Sequence, residues 1–227
     1  IFDQTVWALT KQVRKGTFVP SAFELTFEKG GEHQNGLHFT FEHKEQIDLT
    51  GRIDRMDTCV DDGRIYVKVI DYKSGNTKFD LVKLYHGMQL QLIVYMNAAM
   101  ELEKKEHSKK EIVPGGLFYY HIDDPVIEVT GEVSEADIQA AILKELRPDG
   151  LVNAEEAVYR AMDDVFEKKS DVIPVELKKN GEQGNSNPVA VSDSGVEIYL
   201  PEVYYAVSGL TMEIYNSQIT NLGTHIS

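Results

Sequence analysis

The residues most able to do chemistry in this chain are Asp71 and Lys73, two positions apart at the end of an apolar strand pattern. From Ile65 the odd positions read Ile65, Val67, Val69, Asp71 and Lys73. Side chains alternate along a strand, so the carboxylate and the ammonium continue an apolar row on one face. A second acid, Asp54, lies in the preceding strand pattern, within Gly51-Arg52-Ile53-Asp54-Arg55. Two acids and a lysine are the minimum that metal-dependent phosphodiester cleavage needs. Mg2+, or Mn2+ in its place, prefers carboxylate and water oxygens, and the carbonyl of Tyr72 is placed in sequence to complete such a set. Lys73 would orient a water, assist its deprotonation, or stabilise charge developing on phosphate. Taken alone, an Asp-x-Lys pair at a strand end is most often a surface ion pair.

The elements that must position these residues can be read from periodicity. Phe2, Val6, Leu9 and Val13 recur at helical spacing before Gly16, which predicts a leading amphipathic helix over 1–15. Phe23, Leu25 and Phe27 alternate with polar residues, as do Leu37–Phe41 and Ile47–Met56, ahead of the strand Arg64–Lys73. Consecutive strands of this kind predict an antiparallel meander whose last members carry Asp54 and Asp71. A helix follows over about 80–105, with Met88, Gln91, Leu92, Tyr95, Ala99 and Leu102 in one row. Gln91 and Tyr95 thus face the core. A buried glutamine without partners costs about 1–3 kcal/mol, so its pocket must be polar.

Further on, Pro114-Gly115-Gly116 opens a strand over Leu117–Ile122, with a short one over 126–129. Helical periodicity recurs over 134–146 and 154–166, split by Pro148-Asp149-Gly150. The stretch 178–194, rich in Gly, Asn and Ser, reads as a hairpin or loop, and the last thirty or so residues carry no clear pattern. Residues 1–175 form the expected core domain and 176–227 an extension.

Composition narrows the function classes. The 227 residues include 42% hydrophobic ones, enough for a sizeable core, with no apolar run long enough to span a membrane. One cysteine, Cys59, excludes an internal disulfide and fits a reducing, cytoplasmic setting. The net charge of −14 argues against capture of nucleic acid by the overall field, so any DNA contact needs a local groove or a basic partner. The opening Ile1-Phe2-Asp3, already in helical pattern and without an initiator Met, reads as a piece of a longer protein.

GRIDR, then VIDYKSG, then Gln91-Leu92-Ile93-Val94-Tyr95 in this order resemble the PD-(D/E)XK nuclease domain of the RecB family, over roughly Thr17 to Pro174. FELTF at Phe23–Phe27 and the HGMQLQLIVYM string add to the likeness. The resemblance implies an α/β (α+β), restriction-endonuclease-like core with a central mixed sheet flanked by helices. It implies Asp54 and Asp71 as metal ligands, Lys73 as the catalytic lysine, and Gln91 with Tyr95 lining the site against DNA. The activity implied is a Mg2+-dependent deoxyribonuclease, an exonuclease, working in double-strand break repair and recombination beside an AddA-like partner subunit of a helicase–nuclease.

Two departures accompany that likeness. The family's upstream histidine has no counterpart, because no His precedes His33; His86, before the Gln91–Tyr95 helix, is a candidate to approach the site, with a solvated or capping histidine the commoner reading. The four cysteines by which some members hold an iron–sulfur cluster are also missing, since Cys59 lies between the two aspartates and matches no cluster position. Glu24, on the early strand, is a weaker site candidate, and its alternative is an outward residue of an amphipathic strand. The competing function is a catalytically incomplete nuclease-fold module that serves DNA binding or subunit interaction.

Overall fold

The computed structural model describes residues 2–27, 37–40, 46–85, 88–127, 133–177, 189–192, 195–200 and 203–206. Helix α1 (Phe2–Val13) leads into strand β1 (Val19–Phe27), and a separate hairpin of β2 (Leu37–Thr40) and β3 (Gln46–Leu49) follows. Strands β4 (Gly51–Asp61) and β5 (Arg64–Lys73) come next, then α2 (Leu81–Tyr85), α3 (Gln91–Glu106) and β6 (Glu111–His121). Helix α4 (Glu135–Glu145), β7 (Asp149–Val152) and α5 (Glu156–Met162) complete this part. The central sheet has the order β1-β4-β5-β6-β7. It is mixed, because β5 and β6 pair in parallel across the α3 crossover while the other neighbours are antiparallel.

Two apolar layers hold this sheet. Ile53, Met56, Ile65, Val67 and Val69 pack on one face against Leu92, Met96, Ala99 and Leu102 of α3. Tyr66, Ile70, Phe118 and Tyr120 pack on the other against Val158, Tyr159 and Met162 of α5. Burying one such side chain is worth about 1.5–3 kcal/mol, so the period-2 rows of β5 tie both layers to one strand. Among the described residues no helix is long and apolar enough to cross a membrane.

Several sequence expectations need correction. The meander is interrupted: β4 pairs with β1, and β2–β3 stands apart as its own hairpin. Gly51 helps to permit that pairing, since the Phe27 ring lies where a Cβ would sit, 2.6 Å away. The helix expected over 80–105 is split, with Met88 exposed ahead of α3. The Gln89 side chain bonds Lys78 O and Asp80 N, both at 2.9 Å, and holds that break. Pro114-Gly115-Gly116 does not open a strand but lies within β6, where Gly115 is the extra residue of a bulge opposite Val67 and Lys68. In α1, Val6 is exposed and Thr5 with Ala8 is buried, so the core-facing stripe is rotated from the expected one.

The helix expected over 154–166 is shorter, ending at Met162. The Ser134 hydroxyl accepts the Asp137 N–H at 3.2 Å and caps α4. Strands β8 (Val189–Ser192), β9 (Gly195–Leu200) and β10 (Val203–Ala206) form a small antiparallel sheet in the extension, whose β8 lies inside the stretch expected to be a hairpin or loop. His33, His86 and the second half of the expected strand over 126–129 lie outside the described residues.

Candidate metal-dependent active site

β5 places the central pair. Beyond Val69 its core-facing row continues to Asp71, 3% exposed, and then to Lys73 at the strand end. Lys73 Nζ lies 2.5 Å from Asp71 Oδ2. This ion pair is the contact that compensates the buried Asp71 Oδ2. Burial pushes the Asp71 carboxyl above the ordinary aspartate range; Lys73 opposes that shift and nearby Asp54 adds to it. Tyr119 is the register partner of Asp71 on β6, and its ring lies 5.2 Å beneath the Lys73 ammonium.

Asp54 reaches the site in a different way. The β4–β5 ladder ends at Arg55 and Ile70, and beyond that point Asp54 Oδ2 accepts the Tyr72 N–H at 2.8 Å. A carboxylate thus occupies the place of a strand partner, and the two strands part beside Asp71. In a strand, the N–H and C=O of one residue lie along the same edge. The Tyr72 carbonyl therefore faces this gap too, consistent with the Lys73 carbonyl binding Ile122 N on the β6 side at 2.9 Å.

Helix α3 supplies the third wall. Gln91 Oε1 accepts from Lys73 Nζ at 2.9 Å, and Gln91 Nε2 donates to Tyr95 Oη at 2.8 Å. The spacing of four residues puts both on one side of the helix. Gln91 is exposed rather than buried, which corrects the expectation of a polar pocket in the core. It stands at the helix N-terminus, above the rim of the layer that Leu92 and Met96 enter. Tyr95 is half-buried, with its ring edge-on to Phe27 at 6.0 Å. Asp71, Lys73, Gln91 and Tyr95 therefore form one continuous polar line, with Asp54 beside its acidic end.

The donors suit a divalent cation. Asp54 lies near enough to Asp71 to raise its carboxyl's pKa, the Tyr72 carbonyl faces the same gap, and oxygen donors of this kind suit a hard cation. Among the described residues no group of three or more His, Cys, Asp or Glu gathers at one point. The carbonyl and water oxygens would complete the shell.

Other polar residues escaped the sequence reading. His121 is the register partner of Lys73, and its Nδ1 lies 2.8 Å from Gly75 O. On the opposite face of the sheet, fully buried Asp57 accepts from Arg55 Nε at 2.6 Å and Nη2 at 2.8 Å, and pairs with Lys68 Nζ at 2.8 Å. Period 2 could have placed Arg55 and Asp57 on one face. Cys59 is buried on that face, 3.1 Å from Thr17 Oγ1.

A family model described as the PD-(D/E)XK nuclease superfamily matches residues 1–178. The chain belongs to this superfamily. Its mixed five-stranded sheet with flanking helices is the restriction-endonuclease-like α/β arrangement expected of a PD-(D/E)XK member. Among curated proteins it is 39% identical over 224 residues to an ATP-dependent helicase/deoxyribonuclease subunit from Lachnoclostridium phytofermentans, covering 94% of this chain and 18% of that one. A protein of the same name from Clostridium kluyveri is 32% identical, covering 95% of this chain and 19% of the relative. Another, from Acetivibrio thermocellus, is 35% identical over 193 residues, covering 85% and 17%. The PD-(D/E)XK chain thus spans less than a fifth of the length of these relatives.

Proposed function

We propose that this domain is a Mg2+-dependent deoxyribonuclease, an exonuclease, acting within a helicase–nuclease assembly on DNA in double-strand break repair and recombination. The observation that carries the reading is the buried Asp71 carboxylate, paired with Lys73 and set beside Asp54 at the point where β4 and β5 part. Asp54, Asp71 and the Tyr72 carbonyl would hold the cation. Bound there, Mg2+ or Mn2+ would neutralise charge on the scissile phosphate and lower the pKa of an attacking water.

The chain's own residues do the rest. Lys73, held between Asp71 and the Gln91 amide oxygen, is placed to orient the water and to stabilise negative charge as the phosphorus–oxygen bond breaks. Gln91 is fixed by Tyr95 and in turn fixes Lys73, so the ammonium is oriented before substrate arrives. With a net charge of −14, the domain would receive DNA from an AddA-like partner subunit or other segments of the assembly. No iron–sulfur cluster is proposed, because this chain offers one cysteine and it is buried behind the sheet.

The experiment is cleavage of a linear DNA with Mg2+ by wild type, Asp71→Ala and Lys73→Ala. Each variant should lose on the order of a hundredfold or more in rate while keeping the wild-type circular dichroism spectrum. Retained cleavage in both refutes the site. The second reading, a catalytically incomplete module for DNA binding or subunit interaction, is favoured by the two-carboxylate count of the site. Calorimetric titration with Mn2+ separates the readings, since a module would show no binding that depends on Asp54 and Asp71.

A further inference from the structure

The ladder between β1 and β4 joins Phe23 to Arg55 and Leu25 to Ile53 but skips the pair between them, Glu24 and Asp54. At that place Glu24 has φ 52°, the left-handed region, inside an otherwise extended strand. Residues two apart on a regular strand share a face. Here they do not. Phe23 meets the Arg55 guanidinium on the α5 side of the sheet, with 6.0 Å from ring to cation, whereas Leu25 and Ile53 pack into the α3 layer. Met56 also joins the α3 layer, three residues from Ile53, so the pleat of both strands breaks at Glu24 and Asp54.

The Asp54 carboxylate leaves its strand at this break. With the β4–β5 ladder ended at Arg55, the Asp54 side chain turns toward β5 and takes the Tyr72 N–H at 2.8 Å. The Glu24 carboxylate is turned away and pairs with Arg52 Nε at 2.8 Å, both side chains being more than half exposed.

We infer that Glu24 is a positioning residue whose left-handed backbone makes the paired irregularity that aims Asp54 at Tyr72 and Asp71. The inference rests on the proposed metal site for its functional meaning. The effect belongs to the backbone and not to the carboxylate. Glycine, which adopts positive φ freely, should therefore replace Glu24, and a β-branched residue should not.

The test measures two quantities on wild type, Glu24→Gly and Glu24→Val: hydrogen exchange of the Tyr72 amide in metal-free protein, referenced to the interior amides of β5, and Mn2+ affinity by calorimetry. Glu24→Val should lose the Tyr72 protection and weaken Mn2+ binding by about 10–100-fold, the range seen when a group that orients a ligand is removed. Glu24→Gly should keep both and unfold at a higher temperature than wild type. Wild-type protection and affinity in Glu24→Val overturn the inference, as does an equal loss in Glu24→Gly, which would assign the effect to the carboxylate. Should Glu24→Val fail to fold, Glu24→Gly decides alone, since a lowered melting temperature overturns the inference. Failure of the metal site is separate: it appears as Mn2+ binding that Asp71→Asn leaves unchanged, and the Tyr72 exchange then still judges Glu24.

Discussion

Replacing Asp57 by alanine should be the most damaging single change behind the active site. Asp57 is fully buried and receives Arg55 and Lys68, leaving one carboxylate between two cations on the α5 side of the sheet. Burial pushes the Lys68 ammonium below the ordinary lysine range, and Asp57 is the charge that opposes this. Without it two cations face each other in an apolar layer. Removing one partner of such a buried arrangement costs about 3–5 kcal/mol, set against a total stability of about 5–15 kcal/mol for a domain. At about 2–4 °C per kcal/mol for a chain of this size, melting should fall by about 6–20 °C. The assay is thermal unfolding followed by circular dichroism, with Lys68→Met added to Asp57→Ala as a second arm. The double variant should recover part of the loss, because one uncompensated charge is gone and Phe18, whose ring lies 5.0 Å from Lys68 Nζ, borders the vacated position. A fall of less than about 2 °C, or a double variant worse than Asp57→Ala, refutes the reasoning.

Three further outcomes concern the site itself. Asp71 binds its proton more tightly folded than unfolded, so its ionisation removes stability as pH rises from the ordinary value of 3.8 through the raised one. Asp71→Asn should therefore raise the melting temperature at neutral pH, with the gain vanishing below pH 3.8; a gain that persists in acid contradicts the assignment. Saturating Mn2+ should stabilise wild type and not this variant, which a shift of the unfolding curve would show. Tyr95→Phe removes the hydroxyl that holds Gln91 at an exposed rim, so stability should change by no more than about 0.5 kcal/mol. Its cleavage rate should drop on the order of tenfold through a less ordered Lys73, and an unchanged rate would show that the line from Tyr95 to Lys73 is idle.

Local regularities were legible in the sequence. The shared face of Asp71 and Lys73 follows from period 2 within one strand, and the Gln91–Tyr95 contact from the four-residue spacing within one helix. Neither needs knowledge of a distant segment. The PD-(D/E)XK likeness was legible for the same reason, being carried by three short motifs in order. Relations between segments were not legible. That β1 rather than β2 flanks β4, that Gln91 stands at the rim and not in the core, and that Arg55 and Lys68 share Asp57 all depend on strand register and packing.

Asp54 shows the division most clearly. Its own segment puts this acid one strand before Asp71 and, by alternation, in one row with Met56. Only the folded structure brings it to the Tyr72 N–H, beside a pleat break shared with Glu24 on a strand some thirty residues earlier. Alternation is a property of one chain segment; a break in it is set where two segments must fit.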